Sequence, residues 1–117
     1  SATTIARLAH GMADNMLSLT ALATTAPVLI APAMDNQMWE NTATAENVAA
    51  LRKRGVIFVG PAEGRLASGR MGRGRLVETE QIIGAVRQAI EARELRRKLQ
   101  NPEAAVRRTR PRAGHGR

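Results

Sequence analysis

Cysteine is absent from the 117 residues, which removes disulfides, thiolate metal sites and a cysteine nucleophile together. Histidine is limited to His10 and His115, so no metal site is expected. The aromatic side chains are one tryptophan and one phenylalanine, and any core must therefore be aliphatic. No apolar run approaches the roughly 20 residues of a membrane span. The amino terminus lacks the charged start, apolar stretch and cleavage site of an export signal. A cytoplasmic chain is expected, and its length suits one small domain or a piece of a larger one.

Positive charge, by contrast, is plentiful, with a net value of +8. Its distribution is uneven. Residues 93–117 hold nine basic residues against two acids, while residues 1–92 hold nine against eight. The basic character thus belongs to the end of the chain. Such an arm can bind phosphate backbones non-specifically, or it can be a solvated, disordered terminus. Because only the tail supports it, nucleic acid is not the expected partner.

Along the chain, Thr3 or Thr4 is suited to cap a short helix reaching Leu8 or Ala9, which His10-Gly11 interrupts. Met12, Met16 and Leu19, with Leu22 or Ala23, recur at helical spacing. Asp14 stands near their start, and the pattern reads as an amphipathic helix packing its methionines into a core. Val28 to Ala31 reads as a strand that Pro32 stops. Thr44 is a candidate cap for a helix carrying Val48 and Leu51 and ending at Gly55. Val56 to Val59 is a second strand. Strand, helix and strand in this order make a βαβ crossover with a parallel sheet. Two strands leave such a sheet incomplete, since parallel sheets are normally covered on both faces.

Gly60-Pro61 opens a segment in which Gly64 to Arg75 contains four glycines and four arginines. It cannot form a regular helix and is long for a passive connector. A flexible cationic lid over an anionic ligand and a solvated surface loop both fit this composition. Gly69, Gly72 and Gly74 do not have dinucleotide-fingerprint spacing. Thr79 and Glu80 start a last helix, with Ile82, Ile83, Val86, Ala89 and Ile90 on a face expected to pack on the sheet and a run reaching Leu99. Disorder is expected after about Asn101.

Between the first strand and the second helix lies the segment Ala31-Pro32-Ala33-Met34-Asp35-Asn36-Gln37-Met38-Trp39, at a strand's carboxyl end, where α/β sheets bind ligands. With Thr4 to Asn15 before it and Ala67 to Arg75 after it, this segment resembles the homo-oligomeric flavin-containing cysteine decarboxylases. Within that family it is most similar to the flavoprotein domain of bacterial phosphopantothenoylcysteine decarboxylase, often fused to a phosphopantothenate–cysteine ligase. The resemblance covers about residues 1–98 as the carboxyl-terminal part of that domain, leaving 99–117 as a basic tail.

The resemblance implies a Rossmann-like three-layer α/β/α sandwich with a parallel sheet, incomplete in this chain, and an FMN bound between subunits of a homotrimer. It also implies decarboxylation of 4'-phospho-N-pantothenoylcysteine to 4'-phosphopantetheine in coenzyme A synthesis. The cofactor-binding positions are Ser1, Ala2, Thr3 and Thr4, with Thr3 standing where the family has asparagine. Met34, Asp35, Asn36 and Met38 correspond to the substrate-binding motif, and Asp35 replaces the asparagine that holds the substrate's carboxylate. Arg70, Arg73 and Arg75 fall in the flap over the substrate. Ser68 falls where many members have a catalytic cysteine, so Asp35 and Ser68 are the catalytic positions.

These departures carry chemistry. Ionised aspartate only accepts hydrogen bonds, so Asp35 would hold a carboxylate either as a neutral acid or through a bridging arginine. Serine is a much weaker acid than cysteine, so the final protonation passes to another donor or the product remains an enethiol, as in the peptidyl-cysteine decarboxylases of the family. A peptidyl-cysteine decarboxylase of the same family is the second reading, and a non-catalytic flavoprotein-like regulatory subunit is the third. His10 tempts as a general base, but the family's histidine lies elsewhere and a structural role is expected for it.

Overall fold

The computed structural model describes residues 1–103. Helix α1 (Ala2–Ala9) begins at Ser1, whose hydroxyl accepts the Thr4 amide at 3.3 Å. The cap is therefore Ser1, two residues before the expected Thr3, and Thr3 and Thr4 sit inside the first turn. Ile5 and Ala9, four residues apart, form the buried stripe of α1. His10 closes the helix, its Nδ1 donating to the Ala6 carbonyl at 2.9 Å, and Gly11 follows at φ 67°. His10 is exposed and serves its own helix end, the structural role expected of it.

Helix α2 (Met16–Ala23) starts later than Met12 because Asn15 supplies a reciprocal cap. Its side chain accepts the Ser18 amide at 2.9 Å, and its own amide donates to the Ser18 hydroxyl at 3.2 Å. Asp14 pairs with Arg7 at 3.4 Å instead of lying inside the helix. The expected methionine-filled core face is not formed. Met16 is 78% exposed and Leu17 62%, with Met12, Leu19 and Leu22 also exposed, while the small Ser18 is the buried residue. The periodicity was real, but the surface that would cover it is not among the described residues.

The βαβ unit is present in the expected order. Strand β1 (Leu29–Ile30) pairs in parallel with β2 (Ile57–Phe58), Leu29 facing Ile57 and Ile30 facing Phe58. Flanking bonds from Ile57 to the Val28 carbonyl and from Val59 to the Ile30 carbonyl lengthen the ladder by about a residue at each end. Between them run α3 (Asn36–Glu40) and α4 (Thr42–Lys53). Asn41 caps α4, accepting the Ala43 amide at 2.9 Å. Thr44, the expected cap, lies inside the helix and is buried.

Ile5, Ala9, Val48 and Leu51 form the core between α1 and α4, and Leu8, Ile30, Met34, Trp39, Val56 and Phe58 pack around it. Full burial of each large aliphatic side chain stabilises the fold by about 1.5–3 kcal/mol before entropy is counted. The core is aliphatic, and it supports the segment 31–39 from beneath through Met34 and Trp39.

The glycine- and arginine-rich segment is not an irregular loop. Strands β3 (Ala62–Arg65) and β4 (Met71–Arg75) form an antiparallel hairpin with Gly64 opposite Gly72 and Arg65 opposite Met71. Its tip is closed by the Leu66 amide donating to the Arg70 carbonyl at 2.8 Å and the Gly69 amide to the Leu66 carbonyl at 2.9 Å. Gly69 adopts φ 84° with open space around it, a backbone conformation that favours glycine.

Helix α5 (Thr79–Gln100) begins with a reciprocal cap between Glu78 and Gln81 and ends close to the expected Leu99. Its apolar face is not packed on the sheet as expected. Ala89 is buried and Ile82 half-buried, but Ile83, Val86 and Ile90 are exposed, because a two-stranded sheet offers too little surface to cover 22 residues of helix. The basic stretch after Glu103 lies outside the described residues.

Candidate functional site

The segment after β1 turns sharply at a fully buried Pro32, and Met34 packs down against the core. Asp35 follows in extended conformation (φ −59°, ψ 146°) and caps the single-turn α3, its carboxylate accepting the Gln37 amide at 3.0 Å. The position of the Asp35 side chain is thus fixed by its own helix turn. Met38 is exposed at 48%, whereas Trp39 is half-buried on the core.

The hairpin lies against this turn. The Met34 amide donates to the Gly74 carbonyl at 2.8 Å. A Cβ on Gly74 would collide with the Met34 carbonyl, and one on Gly72 would lie 2.8 Å from the Asn36 Cβ. Only glycine at both positions lets the two segments touch. Asn36 is consequently enclosed, and its Oδ1 is buried without a hydrogen-bond partner. A carbonyl oxygen left this way is costly and is ready to accept from a bound donor.

The hairpin tip completes the site. The Ser68 hydroxyl donates to the Asp35 carboxylate, and the Arg70 guanidinium lies within electrostatic reach of it. Ser68 and then the Gln37 amide hold the Asp35 carboxyl below its ordinary value of 3.8; burial opposes them, and the Arg70 charge adds the smallest effect in their favour. Without a ligand, these neighbours favour the bridged-anion alternative for Asp35 over the neutral acid. Every neighbour stabilises its ionised form.

The expected site residues therefore divide into two groups. Met34, Asp35, Asn36, Ser68 and Arg70 come together. Arg73 and Arg75 alternate with Gly72 and Gly74 along β4, and so project from the strand face away from the Met34–Asn36 turn. There Arg73 Nε donates to the Pro61 carbonyl at 3.4 Å, and Arg75 pairs with Glu78 at 3.4 Å. Ser1 and Thr4 hydroxyls lie 3.2 Å apart at the start of α1, with Thr3 exposed and Ala2 half-buried beside them. Gly72, Gly74 and Gln37 are the structural members of the site that sequence reasoning missed. The Gly-x-Gly alternation before Arg75 was the available signal, since it marks a strand face pressed on backbone.

A separate cleft of about 590 Å³ lies at the amino ends of the strands, bounded by α2, Val28, Val56 and the distal half of α5. Neither Asp35 nor the hairpin lines it. Among the described residues no group of three or more histidine and acidic side chains could hold a metal ion, and no helix is long and apolar enough to cross a membrane.

Comparison with known proteins places this architecture. Residues 1–91 match the Flavoprotein family. The coenzyme A biosynthesis bifunctional protein CoaBC of Vibrio vulnificus (strain YJ016) is 44% identical over 94 residues, covering 80% of this chain and 23% of that protein. Its counterpart in Bacillus subtilis (strain 168) is 48% identical over 83 residues, covering 71% and 20%. Among solved structures, a cysteine-to-serine mutant of PPC decarboxylase complexed with pantothenoylaminoethenethiol superposes with a TM-score of 0.73 at 36% identity, covering 77% of this chain and 50% of that one. The FMN binding protein AtHal3 gives 0.67 at 34% identity, with the same coverage. The chain spans less than a quarter of the curated relatives it matches and half of these solved chains. The match from Ser1 to Glu91, joined to a shared α/β fold with a small and incomplete parallel sheet, makes this chain a member of the Flavoprotein family.

Proposed function

We propose that this chain is part of an FMN-dependent decarboxylase domain that converts 4'-phospho-N-pantothenoylcysteine to 4'-phosphopantetheine in coenzyme A biosynthesis. The names of its CoaBC and PPC decarboxylase relatives support that substrate. The observation that carries the reading is the covered turn, in which Asp35 and Asn36 are roofed by a hairpin bearing Ser68 and Arg70. A small acidic cysteine conjugate would meet fixed acceptors on one side and a cation on the other.

A flavin fits the donor set at the start of α1. Ser1, Thr3 and Thr4 offer hydroxyls at a helix start, and Ala2 between them adds no bulk. These four residues would border the flavin of a neighbouring or completed domain. A bound FMN supplies a two-electron acceptor for the substrate thiol and returns the pair after carbon dioxide has left. The chain's own residues have other tasks. Asn36 Oδ1 accepts from a substrate donor, Met34 and Met38 supply apolar walls, and the hairpin excludes water. A homotrimer, in which another subunit completes the flavin site, agrees with the exposed apolar surface of α2.

A second reading has its own observation. The Ser68 hydroxyl is engaged with Asp35 and is a poor proton donor compared with a thiol. A reaction ending at the enethiol is consistent with this, and a cysteine-to-serine neighbour is seen with an enethiol bound. One experiment tests both readings: purified chain is supplied with FMN and the phosphorylated cysteine conjugate, and flavin absorbance and product mass are followed. Retained flavin and loss of carbon dioxide support the enzyme. A colourless chain and unchanged substrate overturn the activity of this chain by itself.

A further inference from the structure

We propose that Arg70 is the carboxylate-binding residue of this site, bridging the ionised Asp35 and the acidic end of the substrate. This deepens the function proposed above and rests on it. Asp35 cannot do the work directly. Its carboxylate has acceptors only, and its oxygens already receive the Gln37 amide and the Ser68 hydroxyl. A second carboxylate brought beside it would be repelled unless a cation stood between them.

Arg70 is the cation that the docked hairpin carries toward the Asp35 turn, where its charge reaches the carboxylate without forming an ion pair in the unliganded chain. It occupies the hairpin tip, and its carbonyl accepts the amide of buried Leu66 at 2.8 Å, so its backbone is anchored while its side chain is exposed. The docking of Gly72 and Gly74 on Asn36 and Met34 brings that tip to the Asp35 turn. The other hairpin arginines are committed elsewhere. Arg73 binds the Pro61 carbonyl, Arg75 binds Glu78, and Arg65 faces Met71 across the ladder on the outward side. A guanidinium has five donors in a planar fork, enough to engage one oxygen of Asp35 and both oxygens of a ligand carboxylate. Asp35 then acts as a positioning residue that aims Arg70.

The test compares two ligands that differ only in the carboxylate: the S-methylated phosphopantothenoylcysteine and S-methylated phosphopantetheine. The blocked sulfur prevents turnover, so affinities can be measured by calorimetry with FMN present. Arg70→Gln should weaken the acid by about tenfold or more and leave the decarboxylated ligand within about twofold, because a charged hydrogen bond is lost. Arg70→Lys should recover part of the loss. In an Asp35→Asn background the Arg70→Gln cost should shrink to about threefold or less, since an amide can donate to the carboxylate itself. Equal weakening of both ligands, no weakening of either, or the same cost in both backgrounds overturns the bridge while leaving the proposed function standing. Wild-type chain that binds neither ligand overturns the bridge together with the activity of this chain by itself.

Discussion

The amide of Met34 donates to the carbonyl of Gly74 at 2.8 Å, joining the turn after the first parallel strand to the second strand of the hairpin forty residues later. A long-range bond of this kind holds only where nothing projects between the two backbones. Gly74 provides that space, and a methyl group there would collide with the Met34 carbonyl oxygen.

Gly74→Ala should therefore destabilise the chain by about 1–3 kcal/mol, because the obstacle is backbone and cannot rotate away. Gly84→Ala, in the interior of α5 with nothing within 4 Å of the new methyl, should instead stabilise it by about 0.5–1 kcal/mol. Thermal melts of the two variants check the pair. Hydrogen exchange at the Met34 amide should accelerate in the first and stay unchanged in the second.

The ionised state of Asp35 gives a pH dependence with a definite sign. Its folded pKa lies below the ordinary 3.8, so its stabilising contribution is complete above that value and is lost as pH falls through the folded pKa. Asp35→Asn retains the cap to Gln37 but loses the charge. The wild type should melt higher than Asp35→Asn by a constant margin at about pH 5–7, and the margin should close in more acidic solution. A margin that persisted unchanged into strong acid would contradict the ionised reading.

Helix α4 offers a test of capping. Asn41→Ala should cost about 1 kcal/mol by leaving the Ala43 amide without its partner. A Thr44→Ala change should cost through lost packing within the helix and should leave the fraying of the first turn unaltered. Exchange rates at the Ala43 amide separate the two effects.

These residues also explain what could be read in the sequence. Val28 to Ile30 and Val56 to Val59 are apolar runs with turn residues beyond them, and their pairing followed from local composition. Caps were displaced because serine, threonine and asparagine clusters offer several equivalent oxygens, and the choice among them is made by tertiary packing. Hairpin β3–β4 escaped notice because its inner face reads Gly72 and Gly74, where strands usually show alternating apolar side chains. The methionine and leucine period of α2 was legible, but a period does not say which surface covers it. At Asp35 the sequence allowed a neutral acid or a bridged anion. The neighbours that favour the anion, Ser68 and Arg70, come from a hairpin more than thirty residues away and were not legible beside it.

Ser68 supplies the last prediction. Its hydroxyl is donated to the Asp35 carboxylate, which makes it a fixed part of the closed hairpin and leaves it a weak source of protons. Cysteine has an ordinary pKa near 8.5 and can give up its proton at neutral pH far more readily. If the reaction of the flavin-loaded assembly ends at the enethiol, the second reading above, Ser68→Cys should shift the product to the saturated thiol, which is two hydrogens heavier by mass spectrometry. The same substitution exchanges a good hydrogen-bond donor for a weak one, so the Asp35 contact should loosen and the acid-limb margin described above should narrow. Saturated thiol from both wild type and Ser68→Cys, together with a narrowed margin, would mean that Ser68 serves only the closure of the hairpin and that the proton comes from water or another side chain; enethiol from both would mean that this position does not control protonation.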